Sequence, residues 1–261
     1  MRVPVVVGQL PITWKPDRNR DEIVSFLEHA TRPGDLVVLP EAALSGYDDA
    51  LSGLGDLDPV ELAAAADAVA AAVRRGGIHL LCGSLVSDQG AWRNAAVYFA
   101  PDGRRWVYHK VNLATHERGR LAPGSTLPVL SIPVGSGSVR TGVQLCREIR
   151  FPEQWHVLAR AGAQVFTYLT CAVNPQEPAG VWRSHLVSRA AETQRFVVAA
   201  NVAHPDQHCP SVVISPRGEV LTETSTRGPA SLRVELDLGE IRDRYVSQQR
   251  ADVVALVQMT S

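Results

Sequence analysis

Hydrophobic positions along the chain follow two periods that alternate through most of its length. Short, nearly continuous apolar runs are typical of buried strands, whereas apolar residues at every third or fourth position indicate helices. This pattern predicts helices over residues 19–31, 58–75, 152–161 and 181–195. It predicts strands over residues 3–8, 35–40, 78–86, 95–100, 105–109, 139–145, 164–169, 196–203, 211–215, 219–224 and 231–238.

Two turns indicate that some neighbouring strands are antiparallel. Pro-Asp-Gly at residues 101–103 and Pro-Arg-Gly at residues 216–218 have turn chemistry, so the strands that flank them are expected to form hairpins. Elsewhere strands alternate with helices, and the mixture predicts layered sheets covered by helices, in the α+β class. The chain has no linker rich in Gly, Ser or Pro and no internal repeat, so we expect a single domain over residues 1–261.

The composition is that of a globular protein without strong charge. Of 261 residues, 45% are hydrophobic and 20% are charged, and the formal net charge is −1. The chain has no excess of basic residues that would predict a nucleic-acid or membrane partner. None of its apolar runs reaches the roughly 18 residues of a membrane span. The cysteines lack CxxC spacing, which favours reduced thiols and a cytoplasmic protein. They are Cys82, Cys146, Cys171 and Cys209.

Cys146 ends a predicted strand and is followed by a polar turn and by a helix that begins at Pro152. This position lifts the thiol toward a helix N-terminus, whose partial positive charge is expected to favour the thiolate. The thiolate is the nucleophilic form of cysteine. The alternative is a buried strand cysteine that only packs.

Two charged residues also follow predicted strands. Glu41 comes after the strand over residues 35–40, and a carboxylate at the carboxyl end of a buried strand points into the crevice where such folds place sites. Lys110 ends the hairpin over residues 95–109, where it could hold a cation near a developing oxyanion. The alternatives are an exposed glutamate at a helix start and a surface lysine.

Glu41, Lys110 and Cys146, in that order and in these contexts, resemble the nitrilase or carbon–nitrogen hydrolase superfamily, and in particular its short amidase-like branch. Each matching segment is weak alone, but six of them in the right order are specific. The segments are residues 39–47, 94–110, 146–153, 189–192, 196–201 and 211–218.

The resemblance implies a four-layer αββα sandwich with a Glu-Lys-Cys triad and without a cofactor or a metal. Cys146 would attack a carbonyl or nitrile carbon, and Glu41 would act as the base. Lys110 and the backbone N–H after Cys146 would stabilise the oxyanion. Glu117 lies where the family often has a second glutamate that positions the substrate. The resemblance also implies a homodimer, with a C-terminal tail of about residues 240–261 at the interface; its apolar part is residues 253–257.

The chain departs from the family pattern directly after the nucleophile. Many short amidase-like members have Tyr-Asp there, whereas this chain has Arg147 and Glu148, and Glu148 resembles the Trp-Glu of nitrilases. Arg147 could bind a substrate carboxylate bidentately, or it could turn outward to pair with a surface acid. The loop over residues 171–180 lies near the family's substrate pocket, and its candidates for substrate contacts are Cys171, Asn174 and Gln176.

Two other sites are alternatives to the triad. A papain-like pair would use Cys146 and His156, but His156 has the spacing of a packed position on the next helix. A zinc site would use His204, His208 and Cys209, but three ligands without an evident second shell argue against it. We therefore expect no metal.

The sequence thus predicts a cytoplasmic thiol hydrolase that cleaves the C–N bond of a small linear carboxamide and releases ammonia and a carboxylic acid. Within the family, the alternatives are a nitrilase and an N-carbamoyl-amine hydrolase. In another class, the alternative is a catalytically idle or acyl-transferring homologue that acts as a binding subunit. Retention of Glu41, Lys110 and Cys146 argues against an idle homologue. The expected partners are a small amide and a second copy of the chain.

Overall fold

Two six-stranded sheets face each other in the computed structural model, which describes residues 1–178, 180–248 and 250. The first sheet contains, in spatial order, β12 (Ala230–Asp237), β1 (Arg2–Gln9), β2 (Leu36–Val38), β3 (His79–Asp88), β4 (Ala91–Phe99) and β5 (Arg105–His109). The second contains β11 (Val220–Glu223), β10 (Val212–Ile214), β9 (Phe196–Ala200), β8 (Val165–Leu169), β7 (Gly137–Leu145) and β6 (Val129–Val134). Three central strands of each sheet are parallel, β1–β2–β3 and β7–β8–β9, and the outer strands are antiparallel to their neighbours.

The side-chain alternation of the strands gives each sheet two apolar faces. In β1, Val5 and Val7 point between the sheets, whereas Val6 points to the outer face. In β2, Val38 points between the sheets and Val37 points outward. Strands buried on both faces are nearly continuous apolar runs, which is why these segments could be recognised in the sequence.

Helices cover the two outer faces. Those in the described part of the chain are α1 (Pro16–Ala30), α2 (Pro59–Gly76), α3 (Pro152–Arg160), α4 (Val181–Thr193) and α5 (Arg244–Gln248). α1 and α2 pack on the first sheet through residues such as Ile23 and Val69. α3 and α4 pack on the second sheet through residues such as Leu158 and Leu186. The layer order is helix, sheet, sheet, helix, so the predicted α+β class and four-layer αββα sandwich are confirmed.

Helix α2, predicted over residues 58–75, has local start and stop signals in its sequence. The Asp58 side chain caps it by accepting the Val60 backbone N–H at 2.8 Å, and Pro59 occupies the first helical position. Gly77 terminates the helix in the left-handed conformation, with φ of 61°.

Two elements were missed, and some strands were predicted too long, most clearly β2 and β9. Strand β6 lies at a sheet edge and contains Pro133, which a central strand excludes because proline has no N–H to donate. Strand β2 covers three residues of the predicted 35–40. Helix α5 falls in the segment assigned to the C-terminal tail. The apolar run over residues 253–257 lies outside the described residues, so the tail interface stays a prediction.

None of the helices found in residues 1–178, 180–248 and 250 combines the length and the apolar character that crossing a bilayer requires.

Candidate active site

The carboxyl ends of four strands bring the predicted catalytic residues together. In the first sheet, Glu41 comes after β2 and Lys110 comes directly after β5. In the second sheet, Cys146 comes directly after β7 and Cys171 follows β8. Side chains at the carboxyl ends of strands open into the crevice beyond the sheet. The site therefore lies at one end of the sandwich, where both sheets contribute.

The Glu41 carboxylate is fully buried and is oriented by donors from three segments. Its Oε1 accepts Lys110 Nζ at 2.9 Å and Asn94 Nδ2 at 2.8 Å. Its Oε2 accepts the backbone N–H of Cys171 at 3.0 Å, a contact that links the two sheets. A carboxylate fixed in this way presents one defined face to a neighbouring group.

Glu117 is a second fully buried carboxylate in the same cluster. Its Oε1 accepts Lys110 Nζ at 3.0 Å, Asn94 Nδ2 at 2.6 Å and the Tyr47 hydroxyl at 3.0 Å. Its Oε2 accepts the Ala114 backbone N–H at 2.5 Å. The structure thus brings Glu117 into direct contact with the predicted triad lysine.

The charges in this cluster stabilise one another. Burial by itself would raise the pKa of Glu117, but the Lys110 ammonium and the hydrogen bond from Asn94 lower it overall. Burial would likewise lower the pKa of Lys110, yet Glu41, Cys146 and Glu117 together raise it. Lys110 is therefore an ammonium and Glu117 a carboxylate at neutral pH.

Cys146 starts the short 3₁₀ turn Cys146–Arg150 with a backbone φ of 38°, a region that residues other than glycine rarely adopt. Its carbonyl oxygen accepts the Tyr168 hydroxyl at 2.7 Å, which helps to hold this conformation. Strained backbone of this kind clusters at functional sites, where the surroundings fix it.

The expectation that a helix N-terminus favours the Cys146 thiolate is wrong. The pKa of the thiol is raised to about 12, first by burial and then by the charge of Glu41, and Lys110 opposes them only in part. Helix α3 begins six residues later, at Pro152, beyond the first turn over which a helix dipole acts. The resting form is therefore a thiol, and reaction requires a base.

The segment over residues 39–47 ends in Gly46 and Tyr47, and the backbone explains the glycine. Its φ is 84°, and a Cβ at this position would lie 2.1 Å from the carbonyl oxygen of Thr13. Only glycine permits this approach. The next residue, Tyr47, is thereby held with its hydroxyl on Glu117.

Glu148 is a buried carboxylate to which the sequence assigned no role. Its Oε1 accepts the Tyr108 hydroxyl at 2.7 Å and the backbone N–H groups of Val111 and Asn112 at 2.8 and 3.2 Å. Its Oε2 accepts the Leu145 backbone N–H at 2.8 Å. Glu148 thus ties the strand end before the cysteine to the loop after the lysine. The sequence signal for this role was the presence of a carboxylate two residues after Cys146.

Replacing Glu148 by glutamine is expected to lower the free energy of unfolding by roughly 1–3 kcal/mol, because an amide N–H₂ would then face backbone donors in a buried site. We also expect a lower kcat, since the cysteine and lysine segments lose their common acceptor. Urea unfolding and steady-state kinetics measure both effects. Tyr108→Phe is the matched control, because it removes a single donor and should have the smaller effect. Equal stability and kcat in Glu148→Gln and the parent would contradict this role.

The other predicted substrate contacts are placed differently. Cys171 reaches the cluster through its backbone N–H. Arg147 is half-buried, and its Nε is buried without a hydrogen-bond partner among the described residues. Asn174 accepts the Gln176 backbone N–H at 3.0 Å and donates its own to His208 Nδ1 at 3.1 Å, so this part of the loop is bonded to itself and to the 204–210 segment.

His156 is not positioned by a catalytic neighbour. Its Nε2 lies 3.6 Å from Glu192 Oε1 on α4. Within residues 1–178, 180–248 and 250, no group of three His, Cys, Asp or Glu side chains could hold a metal ion, and this includes His204, His208 and Cys209.

A cavity of about 370 Å³ opens beside the buried cluster. It shares two residues with the cluster's hydrogen bonds, Tyr47 and Cys171. The residues of its lining that matter below are Trp14, Tyr47, Asp48, Asp49, Cys171 and His204.

Comparison with known proteins identifies relatives along nearly the whole chain. Residues 5–245 match the model of the carbon-nitrogen hydrolase family. An (R)-stereoselective amidase from Pseudomonas sp. is 30% identical over 80% of this chain and 75% of its own. A 2-oxoglutaramate amidase from Bacillus subtilis is 29% identical over 87% of each chain.

Solved structures agree on the fold. Nit3 of Saccharomyces cerevisiae, a member of branch 10 of the nitrilase superfamily, has a TM-score of 0.79 at 24% identity and covers 96% of both chains. A variant of an amidase from Nesterenkonia sp. has a TM-score of 0.83 at 23% identity over 96% of this chain and 94% of its own. The chain belongs to the carbon–nitrogen hydrolase family, enzymes that act on carbon–nitrogen bonds other than peptide bonds.

Proposed function

We propose that this protein is an amidase that hydrolyses the C–N bond of a small linear carboxamide through a thioester on Cys146. The main support is one observation: a buried ammonium, Lys110 Nζ, bonds two buried carboxylates at 2.9 and 3.0 Å beside a cysteine that is protonated at rest. This arrangement supplies a nucleophile, a base and a fixed cation.

In the acylation step the Cys146 sulfur attacks the amide carbon while Glu41 takes the thiol proton. Negative charge then develops on the carbonyl oxygen. Lys110 and the backbone N–H of Arg147 are the donors that would stabilise it, and preorganised donors of this kind need no reorganisation during the reaction. Glu41 returns the proton to the amide nitrogen, the C–N bond breaks and ammonia leaves.

In the deacylation step a water molecule attacks the thioester. Glu41 takes a proton from the water and later returns it to the departing sulfur, which regenerates the thiol and releases the carboxylic acid. One base therefore serves both steps. Glu117 holds Lys110 from the other side and is proposed to position the amide.

The names of the relatives agree with this proposal. Three of them are called an (R)-stereoselective amidase, a 2-oxoglutaramate amidase and an omega-amidase. In the Nesterenkonia variant, the acetamide moiety of fluoroacetamide is covalently added at the active site cysteine. A relative called a nitrilase, from Pyrococcus abyssi, is 26% identical and keeps nitriles among the substrates to be tested.

The test is ammonia release by the purified protein from small amides, nitriles and N-carbamoyl amines, beside Cys146→Ala. We expect turnover of amides that is lost in Cys146→Ala and kept in Cys82→Ala, a buried cysteine under α2. Turnover of nitriles or carbamoyl amines alone would replace the proposed substrate class. No turnover and no acyl adduct on Cys146 by intact-mass spectrometry would favour the idle or acyl-transferring alternative.

A further inference from the structure

The cavity beside the catalytic cluster has a one-sided charge. Its lining contains the carboxylates of Asp48 and Asp49, and no lysine or arginine lines it within the described part of the chain. It lies against the catalytic cluster, because two of its lining residues are bonded to that cluster: Tyr47 donates to Glu117 and the Cys171 backbone donates to Glu41, each at 3.0 Å. Its charge therefore acts on whatever approaches the cluster through it.

Asp48 is fixed at this cavity as a carboxylate. Burial is the largest single influence and would raise its pKa, but hydrogen bonds from Ser52 and Trp14 together lower it overall. The Trp14 Nε1–H donates to Asp48 Oδ2 at 2.9 Å, which turns the indole edge to the carboxylate. An indole ring and a carboxylate at one cavity form a favourable surface for a cation.

Asp49 adds a second, more exposed carboxylate. Its side chain is 72% exposed, and His116 Nε2 is 3.8 Å from its Oδ1. The charge of Asp49 also acts on the side of the cavity nearest the cluster. The pKa of the Cys171 thiol is raised first by burial and then by the charges of Glu41, Cys146 and Asp49. The two ends of the cavity are thus close enough to interact electrostatically.

We propose, on the basis of the amidase function above, that this cavity receives the acyl chain of the substrate and that the preferred acyl chain carries a positively charged ammonium group. An ω-amino amide fits this description, whereas an amide that carries a carboxylate is repelled. Arg147, the cation that the sequence offered for a substrate carboxylate, is not among the residues that line this cavity. Asp49 is the specificity-determining residue, and Asp48 supports it.

The first test measures the electrostatics of access to Cys146 without any substrate. Wild type and Asp49→Asn are labelled with 2-bromoethylammonium and with iodoacetate, and each rate at Cys146 is read by peptide mass spectrometry and divided by the iodoacetamide rate of the same variant. Removal of the single charge of Asp49 is expected to change each labelling ratio about fivefold. Asp49→Asn should lower the cationic ratio and raise the anionic one, and 0.5 M salt should reduce both changes. Glu219→Gln, which removes an exposed carboxylate from the β10–β11 turn, is the matched control and should change neither.

The second test is turnover of three amides of similar length: 3-aminopropanamide, butanamide and succinamate. We expect kcat/KM to fall in that order, and Asp49→Asn to narrow the difference between the first two. Turnover without charge preference, together with unchanged labelling ratios, would overturn this inference and leave the amidase proposal intact. A preference for succinamate that is lost in Arg147→Gln would overturn it in favour of Arg147. No turnover of any amide, with labelling ratios that shift as expected, would contradict the amidase function alone and support a cavity that favours cations.

Discussion

Glu41→Gln is expected to lower kcat for amide hydrolysis by about 10³- to 10⁴-fold, at the upper end of what a general base contributes. The reason lies in the state of the nucleophile. The pKa of the Cys146 thiol is about 12, so at pH 7 the thiolate fraction without a base is on the order of 10⁻⁵. Among the described carboxylates that act on the Cys146 thiol, Glu41 acts most strongly, and glutamine in its place could not take the proton.

The pH dependence of the variant provides a sharper test than the loss of rate. Because the thiol pKa is raised, the thiolate is scarce at neutral pH. As long as the pH stays below that pKa, the thiolate fraction rises tenfold for each unit by which the pH is raised. Without a base, iodoacetamide labelling of Cys146 in Glu41→Gln should therefore rise about tenfold per unit between pH 6 and 9. In wild type, Glu41 accepts the proton and the profile should be flatter. Loss of the Glu41 charge also lowers the thiol pKa, so the pKa of Cys146 in Glu41→Gln should be below 12.

Glu192→Gln is a suitable control, since it removes a carboxylate that lies on α4 against Arg189 and His156. A Glu41→Gln enzyme with nearly full kcat, or with a flat labelling profile at a low rate, would contradict the role of Glu41 as the base.

The positions of the triad residues could be predicted because each follows the carboxyl end of a strand. That relation depends on local sequence, since the apolar runs before Glu41, Lys110 and Cys146 are visible without the fold. The helix α2 signals are local as well. Strand β6 escaped because Ser131 and Pro133 interrupt its apolar residues, and an edge strand tolerates a proline.

The electrostatics of the site could not be predicted in the same way. Asn94 bridges Glu41 and Glu117, residues that lie 53 and 23 positions away along the chain. Glu148 accepts from Tyr108, which lies 40 positions earlier in the chain. The thiol pKa was predicted in the wrong direction because it depends on burial and on the distance to Glu41, and neither can be read from the cysteine's own segment.

Lys110→Met is expected to be the most destabilising single change in the site, lowering the free energy of unfolding by about 3–5 kcal/mol. Lys110 is fully buried and bonded to two fully buried carboxylates. Its removal leaves those negative charges without a counterion, held only by Asn94, Tyr47 and backbone donors. The protein should also lose amide hydrolysis, since the oxyanion loses its cation.

The loss of stability should depend on pH. The pKa of Glu117 is lower in the folded protein than in the unfolded chain, so its pairing stabilises the fold above the unfolded value near 4.3 and is lost as the pH falls through the folded value. The Lys110 contribution, with a raised pKa, is present below the unfolded value near 10.4. Lys110→Met should therefore differ most from wild type between about pH 6 and 9. The difference should shrink as the pH falls below about 4.3, because the stabilisation from the Glu117 pairing is then progressively lost in wild type.

The double variant Lys110→Met, Glu117→Gln separates stability from catalysis. Removing one carboxylate leaves Glu41 with its donors from Asn94 and Cys171, so part of the unfolding free energy should return while activity stays absent. Lys15→Met, at the exposed lysine before α1, controls for the loss of a positive charge. If Lys110→Met unfolded at the same urea concentration as Lys15→Met at pH 7, the buried ammonium could not be what holds the two carboxylates together. If the double variant regained activity, the cation would have no part in the chemistry.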